Sequence, residues 1–283
     1  MKQRKSAVLA RGLALFVALS AAVTLVWARE GVEVGKTSSF AKLVPAEDVE
    51  RSAAQQYGQL LAKANEKKAL GNREHPQVLR LRAIARRLIP HALAWNPRAK
   101  DWKWEVNLIG SSQINAFCMP GGKIAFFTGI LDKLQLSDDE VAIVMGHEMA
   151  HALREHARER MGKNAVTNGA ARLGGALAAG IFGIDPRLTD GLARGGANLL
   201  TLEFSREDES EADLVGMELA ARAGFDPRAG VTLWQKMAAA NKGAPPQWLS
   251  THPSGKTRIA EIEKNLPRVM PLYERARAPK PVG

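Results

Sequence analysis

Three side chains in one short stretch have the types and spacing of a metal-dependent hydrolytic site. His147 and His151 stand four residues apart, and Glu148 follows the first of them. On a helix that spacing puts both imidazoles on one face, one turn apart. Two neutral imidazoles so placed can take two corners of a tetrahedral zinc site. Glu148 then lies where it can take the proton of a water activated by the metal. The bland alternative is a surface helix with two histidines. The flanking sequence argues for a buried helix. Ser137 reads as an N-cap, Asp138, Asp139 and Glu140 place acids in the first turn, and Val141, Val144, Met145 and Met149 form an apolar stripe.

Zinc needs a third protein ligand, and a carboxylate from another helix is a common solution. The run Phe204 to Gly216 opens a second helix rich in acids. Glu209 and Asp213 are four apart and share a face with Ala212, Gly216 and Ala220. Those small residues would let this helix approach the histidine helix closely. Glu209 can then bind metal while Asp213 accepts a hydrogen bond from the free N–H of a ligand histidine. Glu211 is the alternative ligand, and Glu207 and Asp208 read as a solvated face.

Further on, Trp248-Leu249-Ser250-Thr251-His252-Pro253-Ser254 reads as a loop stiffened by Pro253. His252 has three readings: a donor to the oxyanion formed as water attacks a carbonyl, a fourth zinc ligand that holds the site latent, or a surface histidine. Upstream, Asn115-Ala116-Phe117-Cys118-Met119-Pro120-Gly121-Gly122 reads as a strand and turn. A strand at a sheet edge can pair its free N–H and C=O groups with an extended peptide. Asn115, Ala116 and Phe117 are therefore candidate substrate-binding residues, against the alternative of an ordinary hairpin.

The elements that must position these groups are mostly helical. A helix is expected from Pro45 to Leu70 and a second from Pro76 to about Trp95. His75 and His91, on this hairpin, are left out of the site. Strands are expected over 102–109, 113–119 and 123–127, with a short helix from Thr128 to Leu134. The histidine helix is expected to run unbroken from Asp138 to Met161. His156, nine residues after His147, would then point away from the metal. The Gly, Ala and Leu-rich stretch 162–200 suggests packed helices with some mobility, suited to covering a cleft. Helices from about Arg228 to Asn241 and from Thr257 to Leu266 follow, then an extended basic, Pro-rich tail over 267–283.

A chain of 283 residues can bury a substantial core, and its single cysteine, Cys118, excludes an internal disulfide and a four-cysteine zinc site. The formal charge is +11, and four of those charges (Lys2, Arg4, Lys5, Arg11) fall within residues 1–28. The remaining basic residues are interleaved with acids and form no stripe with aromatics, so no nucleic-acid partner is expected. An apolar run from Leu13 to Val26 ends in Val26-Trp27-Ala28, which reads as a signal peptide cleaved after Ala28, with an uncleaved N-terminal anchor as the alternative. Residues 29–44 read as a flexible lead-in to a domain over 45–266.

Taken together, Asn115-Ala116-Phe117 with its Pro-Gly-Gly turn, Gly146 to His151, Glu209 to Asp213 and Ser250 to Pro253 resemble the zinc metallopeptidase family forty-eight. This is the gluzincin family of HtpX, the prenyl-protein proteases and the mitochondrial overlapping-activity protease. The resemblance spans roughly residues 50–266. It implies an α+β, mostly helical, zincin-like domain with a small β-sheet whose edge strand binds substrate. It also implies endopeptidase activity with one Zn2+ per chain. His147, His151 and Glu209 would be the ligands, Glu148 the base, Asp213 the partner behind a ligand, and His252 a group close to the metal. Exported bacterial members are closest in layout. That suggests a periplasmic or membrane-associated protease of misfolded or unassembled envelope proteins, with polypeptide substrates and contacts to the membrane surface or the outer-membrane assembly machinery. The chain shows no tetratricopeptide period and lacks the several spans of HtpX and the prenyl-protein proteases. A repeat-mediated partner and a prenylated substrate are therefore not expected. Two rivals remain: a latent protein of the same fold acting as a chaperone-like binder, and an inactive basic adaptor at a membrane surface.

Overall fold

The computed structural model describes residues 29–172, 199, 202–240, 247–252 and 257–279. The N-terminal apolar run, most of the Gly/Ala-rich stretch and the residues just after His252 lie outside the described residues. The chain forms two compact units, Met1–Glu30 and Gly31–Gly283, and everything below belongs to the second.

Two helices open this unit, α1 (Ala46–Glu66) and α2 (Pro76–Leu88). The His75 ring caps α2 by accepting from the Gln77 N–H, and Pro76 occupies the first turn, where its missing N–H costs nothing. Three strands follow, β1 (Glu105–Ile109), β2 (Ala116–Met119) and β3 (Lys123–Phe127). Their order is β1-β3-β2, with β1 parallel and β2 antiparallel to β3. The Pro120-Gly121-Gly122 turn that joins β2 to β3 needs positive φ at both glycines, +82° and +77°. β2 is thus an edge strand, and it packs on the central helix α4 (Asp138–Leu153), which follows the short α3 (Thr128–Leu134).

Helix α4 organises the rest. Ser137 and Glu140 form a reciprocal capping box at its start, with three acids in the first turn. From Glu140 to Leu153 every side chain is buried, so α4 is enclosed on all sides. It packs most extensively against α6 (Arg206–Arg222), which opens on a second capping box between Ser205 and Asp208. Helices α7 (Ala229–Ala240), α8 (Gln247–Thr251) and α9 (Arg258–Arg277) complete the unit.

Two expectations are corrected. The histidine helix stops at Leu153. Glu155 takes φ +62°, in the left-handed region, and a new helix α5 (His156–Arg172) starts on a different axis. The last helix continues through Pro267 and Pro271 to Arg277, where an extended tail was expected. Both prolines are exposed, so the carbonyls they leave unpaired meet water. Val269, Leu272 and Tyr273 bury the opposite face, and that burial outweighs the lost hydrogen bonds.

The stretch before α1 has specific contacts. The Val32 N–H donates to buried Glu218 at 2.8 Å, Arg154 donates to the Gly35 carbonyl, and Arg158 donates to the Val44 carbonyl.

The α4–α6 crossing depends on two facing glycines. A Cβ on Gly146 would lie 2.6 Å from the Gly216 carbonyl oxygen, and one on Gly216 would lie 2.5 Å from the His147 nitrogen. Both obstacles are backbone and cannot swing aside. Gly216→Ala should therefore lower the unfolding free energy by roughly 1–3 kcal/mol, the usual cost of overpacking. A chemical-denaturation midpoint equal to that of the parent would show that the helices do not cross this closely.

Candidate metal centre

The crossing sets the ligand faces against each other. His147 Nε2 and His151 Nε2 are 3.1 Å apart. From α6, Glu209 brings Oε2 within 3.6 Å of His147 Nε2 and Oε1 within 3.5 Å of His151 Nε2. With His252, one donor atom from each of these four residues lies within 4.8 Å of the others. Ligand atoms about 2.0–2.1 Å from a tetrahedral zinc sit about 3.3 Å from one another, so the three closer donors already have that spacing. All four side chains are buried, and two of their polar atoms, Glu209 Oε1 and His252 Nε2, have no hydrogen-bond partner among the described residues. Buried polar atoms without partners are rare in folded proteins. A cation among them supplies the missing partner.

The surroundings prepare the two histidines to face inward with a lone pair. Asp213 Oδ1 lies 3.1 Å from His147 Nδ1, so this nitrogen carries the proton and Nε2 is left to coordinate. His151 Nδ1 lies 2.9 Å from His156 Nδ1, and His156 Nε2 lies 3.1 Å from Glu211 Oε2. One proton placement satisfies the whole chain: His151 donates to His156, which donates to Glu211. His156 was expected to point away. The helix break at Glu155 turns it back against His151 instead. Glu211, the alternative ligand in sequence, pairs with Arg154 at 2.6 Å and does not join the cluster.

Arg258, at the start of α9, is the residue that sequence reasoning missed. Its Nε and Nη2 each donate to Asp213 at 2.6 Å, and its Nη1 donates to Glu209 Oε2 at 2.6 Å. Its guanidinium also lies over the Trp234 ring, 3.7 Å from the centroid. Two acids four apart on a buried face demand a cation, and that requirement is the signal that could have found it.

Charge and burial together fit a divalent ion. Three carboxylates (Glu148, Glu209, Asp213) stand near one guanidinium, leaving two negative charges when the imidazoles are neutral. Burial would raise the Asp213 carboxyl, but Arg258 and His147 outweigh it and hold it at about 2. Burial raises the Glu209 carboxyl in spite of His147, His252 and Arg258. Burial and the neighbouring imidazoles push His151 well down, toward the neutral form that ligation requires.

Glu148 sits beside the cluster. Burial would raise its carboxyl, but His252 foremost, with His147 and Trp248, draws it below the usual value. Its Oε2 lies 3.6 Å from His252 Nε2. Burial would depress the His252 ring, whereas Glu148 and Glu209 raise it further than burial lowers it.

Asn115, Ala116 and Phe117 line a cavity of about 40 Å³ together with Glu148, His151 and His252. Leu199, Leu202 and Phe204 line it from the other side. The Phe204 ring stacks on His151 with centroids 3.9 Å apart and planes at 22°. The cavity is small and partly open, and Phe204 narrows it beside His151.

A helix carrying two histidines and a glutamate, a glutamate from a second helix and an edge strand beside them define a zincin-like metallopeptidase domain. The profile of Peptidase family M48 matches residues 77–266, and the chain belongs to that family. It is 37% identical over 195 residues to the mitochondrial metalloendopeptidase OMA1 of Schizosaccharomyces pombe, covering 68% of this chain and 54% of the relative. It is 28% identical over 256 residues to the metalloprotease LoiP of Escherichia coli K12, covering 89% and 96%. It is also 28% identical over 200 residues to the beta-barrel assembly-enhancing protease of Escherichia coli O157:H7, covering 68% and 39%. The chain thus spans about half the length of the fission-yeast relative, or 30% in the case of the OMA1 of Arabidopsis thaliana.

His156→Phe removes the acceptor behind His151 while keeping a ring of similar size. It should weaken zinc binding about 10- to 100-fold, the usual effect of losing such a partner. Competition with a chromophoric chelator measures this. Unchanged affinity would mean that His156 does not orient His151.

Proposed function

We propose that the protein is a zinc-dependent endopeptidase that hydrolyses misfolded or unassembled polypeptides of the cell envelope. The observation that carries the reading is a base, Glu148, held ionised next to a buried four-donor cluster and beside an edge strand. A bound zinc ion supplies a Lewis acid that polarises the scissile carbonyl and brings the pKa of the attacking water toward about 7. Glu148 takes the proton of that water and delivers it to the leaving amine. His147, His151 and Glu209 would hold the ion, with Asp213, braced by Arg258, orienting His147. The outer edge of β2, with Asn115, Ala116 and Phe117, pairs with the substrate backbone. Main-chain pairing is indifferent to side-chain identity, which suits substrates defined by being unfolded.

The envelope setting is supported by the signal-peptide pattern of residues 1–28 and by a relative whose name refers to β-barrel assembly, a process of bacterial outer membranes. Among the described residues no helix is long and apolar enough to cross a membrane. A second reading, a normally latent protein that binds envelope proteins as a chaperone does, is favoured by one observation. His252 is a member of the donor cluster, its buried Nε2 has no hydrogen-bond partner among the described residues, and Phe204 stacks on His151 beside it.

Glu148→Gln should keep one zinc per chain and lower casein cleavage by at least about a hundredfold. A zinc-loaded variant that cuts at the parent rate would remove Glu148 from the mechanism. His252→Ala separates the two readings. Cleavage lowered about 10²- to 10³-fold matches loss of an oxyanion donor, whereas raised cleavage matches loss of a lock on the metal.

A further inference from the structure

Trp248 touches both groups that flank the cluster. It is fully buried on α8, and its indole Nε1–H donates to Glu148 Oε1 at 2.5 Å. Its main-chain carbonyl lies 3.1 Å from His252 Nδ1, and its ring stacks on the His252 ring at 4.9 Å and 22°. Behind it the indole leans on Trp234, 5.3 Å away, which is the ring that Arg258 covers. α8 is tied to the sheet where the Trp248 N–H donates to the Ile114 carbonyl at 3.1 Å, just before the edge strand. One residue therefore contacts Glu148, His252 and the stretch just before the edge strand.

We infer that Trp248 is a positioning residue for the reaction, its indole N–H holding one oxygen of Glu148 so that the other faces the attacking water. The inference rests on the reading of Glu148 as the base. A glutamate has three rotatable side-chain bonds, and a buried carboxylate with two equivalent oxygens can turn either one inward. The indole removes that freedom. Trp has one donor and no acceptor, so the contact has a single polarity, and the charged acceptor makes it strong. With Oε1 occupied, Oε2 is the oxygen directed toward His252 and the cluster. The same residue sets the other ring. His252 Nδ1 donates to the Trp248 carbonyl, which leaves Nε2 facing the donor cluster. Phenylalanine keeps an apolar ring there, though a smaller one. The N–H is what phenylalanine cannot supply.

Trp248→Phe tests this directly. The zinc content and KM should stay within about twofold of the parent while kcat falls about 10- to 100-fold, because a displaced base costs rate and not binding. A purely structural role would instead lower zinc content and stability together, and an unchanged kcat would overturn the inference. A second measurement uses the folded parent and needs no turnover. Of the tryptophan indole N–H resonances, one should lie downfield and exchange slowly. That resonance should be missing in Trp248→Phe and move upfield in Glu148→Gln, where a neutral amide replaces the charged acceptor. If no indole resonance responds to Glu148→Gln, the hydrogen bond does not exist. This comparison reads the contact whether or not the protein cleaves polypeptides, so failure of the peptidase reading and failure of this one are distinguishable.

Discussion

The most demanding interaction in the molecule is the pairing of one buried guanidinium with two buried carboxylates. Glu209 and Asp213 are nearly inaccessible to water, and an unpaired ion there would cost several kcal/mol. Arg258 answers with a fork of three donors, two to Asp213 and one to Glu209. A lysine could not span both acids with fixed geometry, because its charge is a point and not a fork. Arg258 comes from the start of α9, so the last helix must be in place before the carboxylates on α6 can be buried. The guanidinium also lies on Trp234 from α7, and Trp234 packs on Trp248 from α8. Charge compensation thus joins four helices at one point, and the donor cluster sits on the far side of the same carboxylates.

That arrangement works only if α4 and α6 come within backbone contact. Gly146 and Gly216 make the contact, and each stands within one turn of a residue of the cluster or its support. The ligand geometry is therefore set by glycines that carry no chemistry. The left-handed residue Glu155 acts in the same indirect way. By ending α4 one turn after His151, it lets the chain fold back and bring His156 behind that ligand. Two histidines on one helical turn then receive different supports, a carboxylate for His147 and an imidazole for His151. The first is ionised and braced by Arg258. The second passes its hydrogen bond on to Glu211.

The parts of this site that follow from short-range periodicity were legible in the sequence. His147 with His151, and Glu209 with Asp213, are each four apart on one helix, and helical geometry alone puts each pair on one face. The strand, turn and strand around Pro120-Gly121-Gly122 were legible for the same reason. What stayed hidden depends on where a chain departs from its periodic path. Nothing in Ala152-Leu153-Arg154-Glu155 signals a stop: there is no glycine, proline or asparagine, so the break and the return of His156 could not be anticipated. The prolines at 267 and 271 signal a stop that does not occur, because the apolar stripe of α9 dominates once α6 is there to cover it. Arg258 stood within an anticipated helix, yet its partners are 45 and 49 residues away. Only the requirement that buried acids be neutralised points to it.

Phe204 narrows the cavity beside His151 and the edge strand. Among the described residues the Phe204 ring stacks on His151, the Phe204 N–H donates to the Thr251 carbonyl, the Leu199 N–H donates to Gln56, and Leu202 lines the same cavity. Ring stacking is worth about 0.5–1.5 kcal/mol beyond its buried area and a single hydrogen bond about 1 kcal/mol. An extended chain pairing with an edge strand gains several such hydrogen bonds at once, together with burial of alternate side chains. The two sets of interactions are of similar size and compete for the same space beside β2. A short or folded chain offers too few backbone groups to displace Phe204, whereas a long unfolded one offers many. Under the proposed reading, access would depend on how much extended backbone a polypeptide can present.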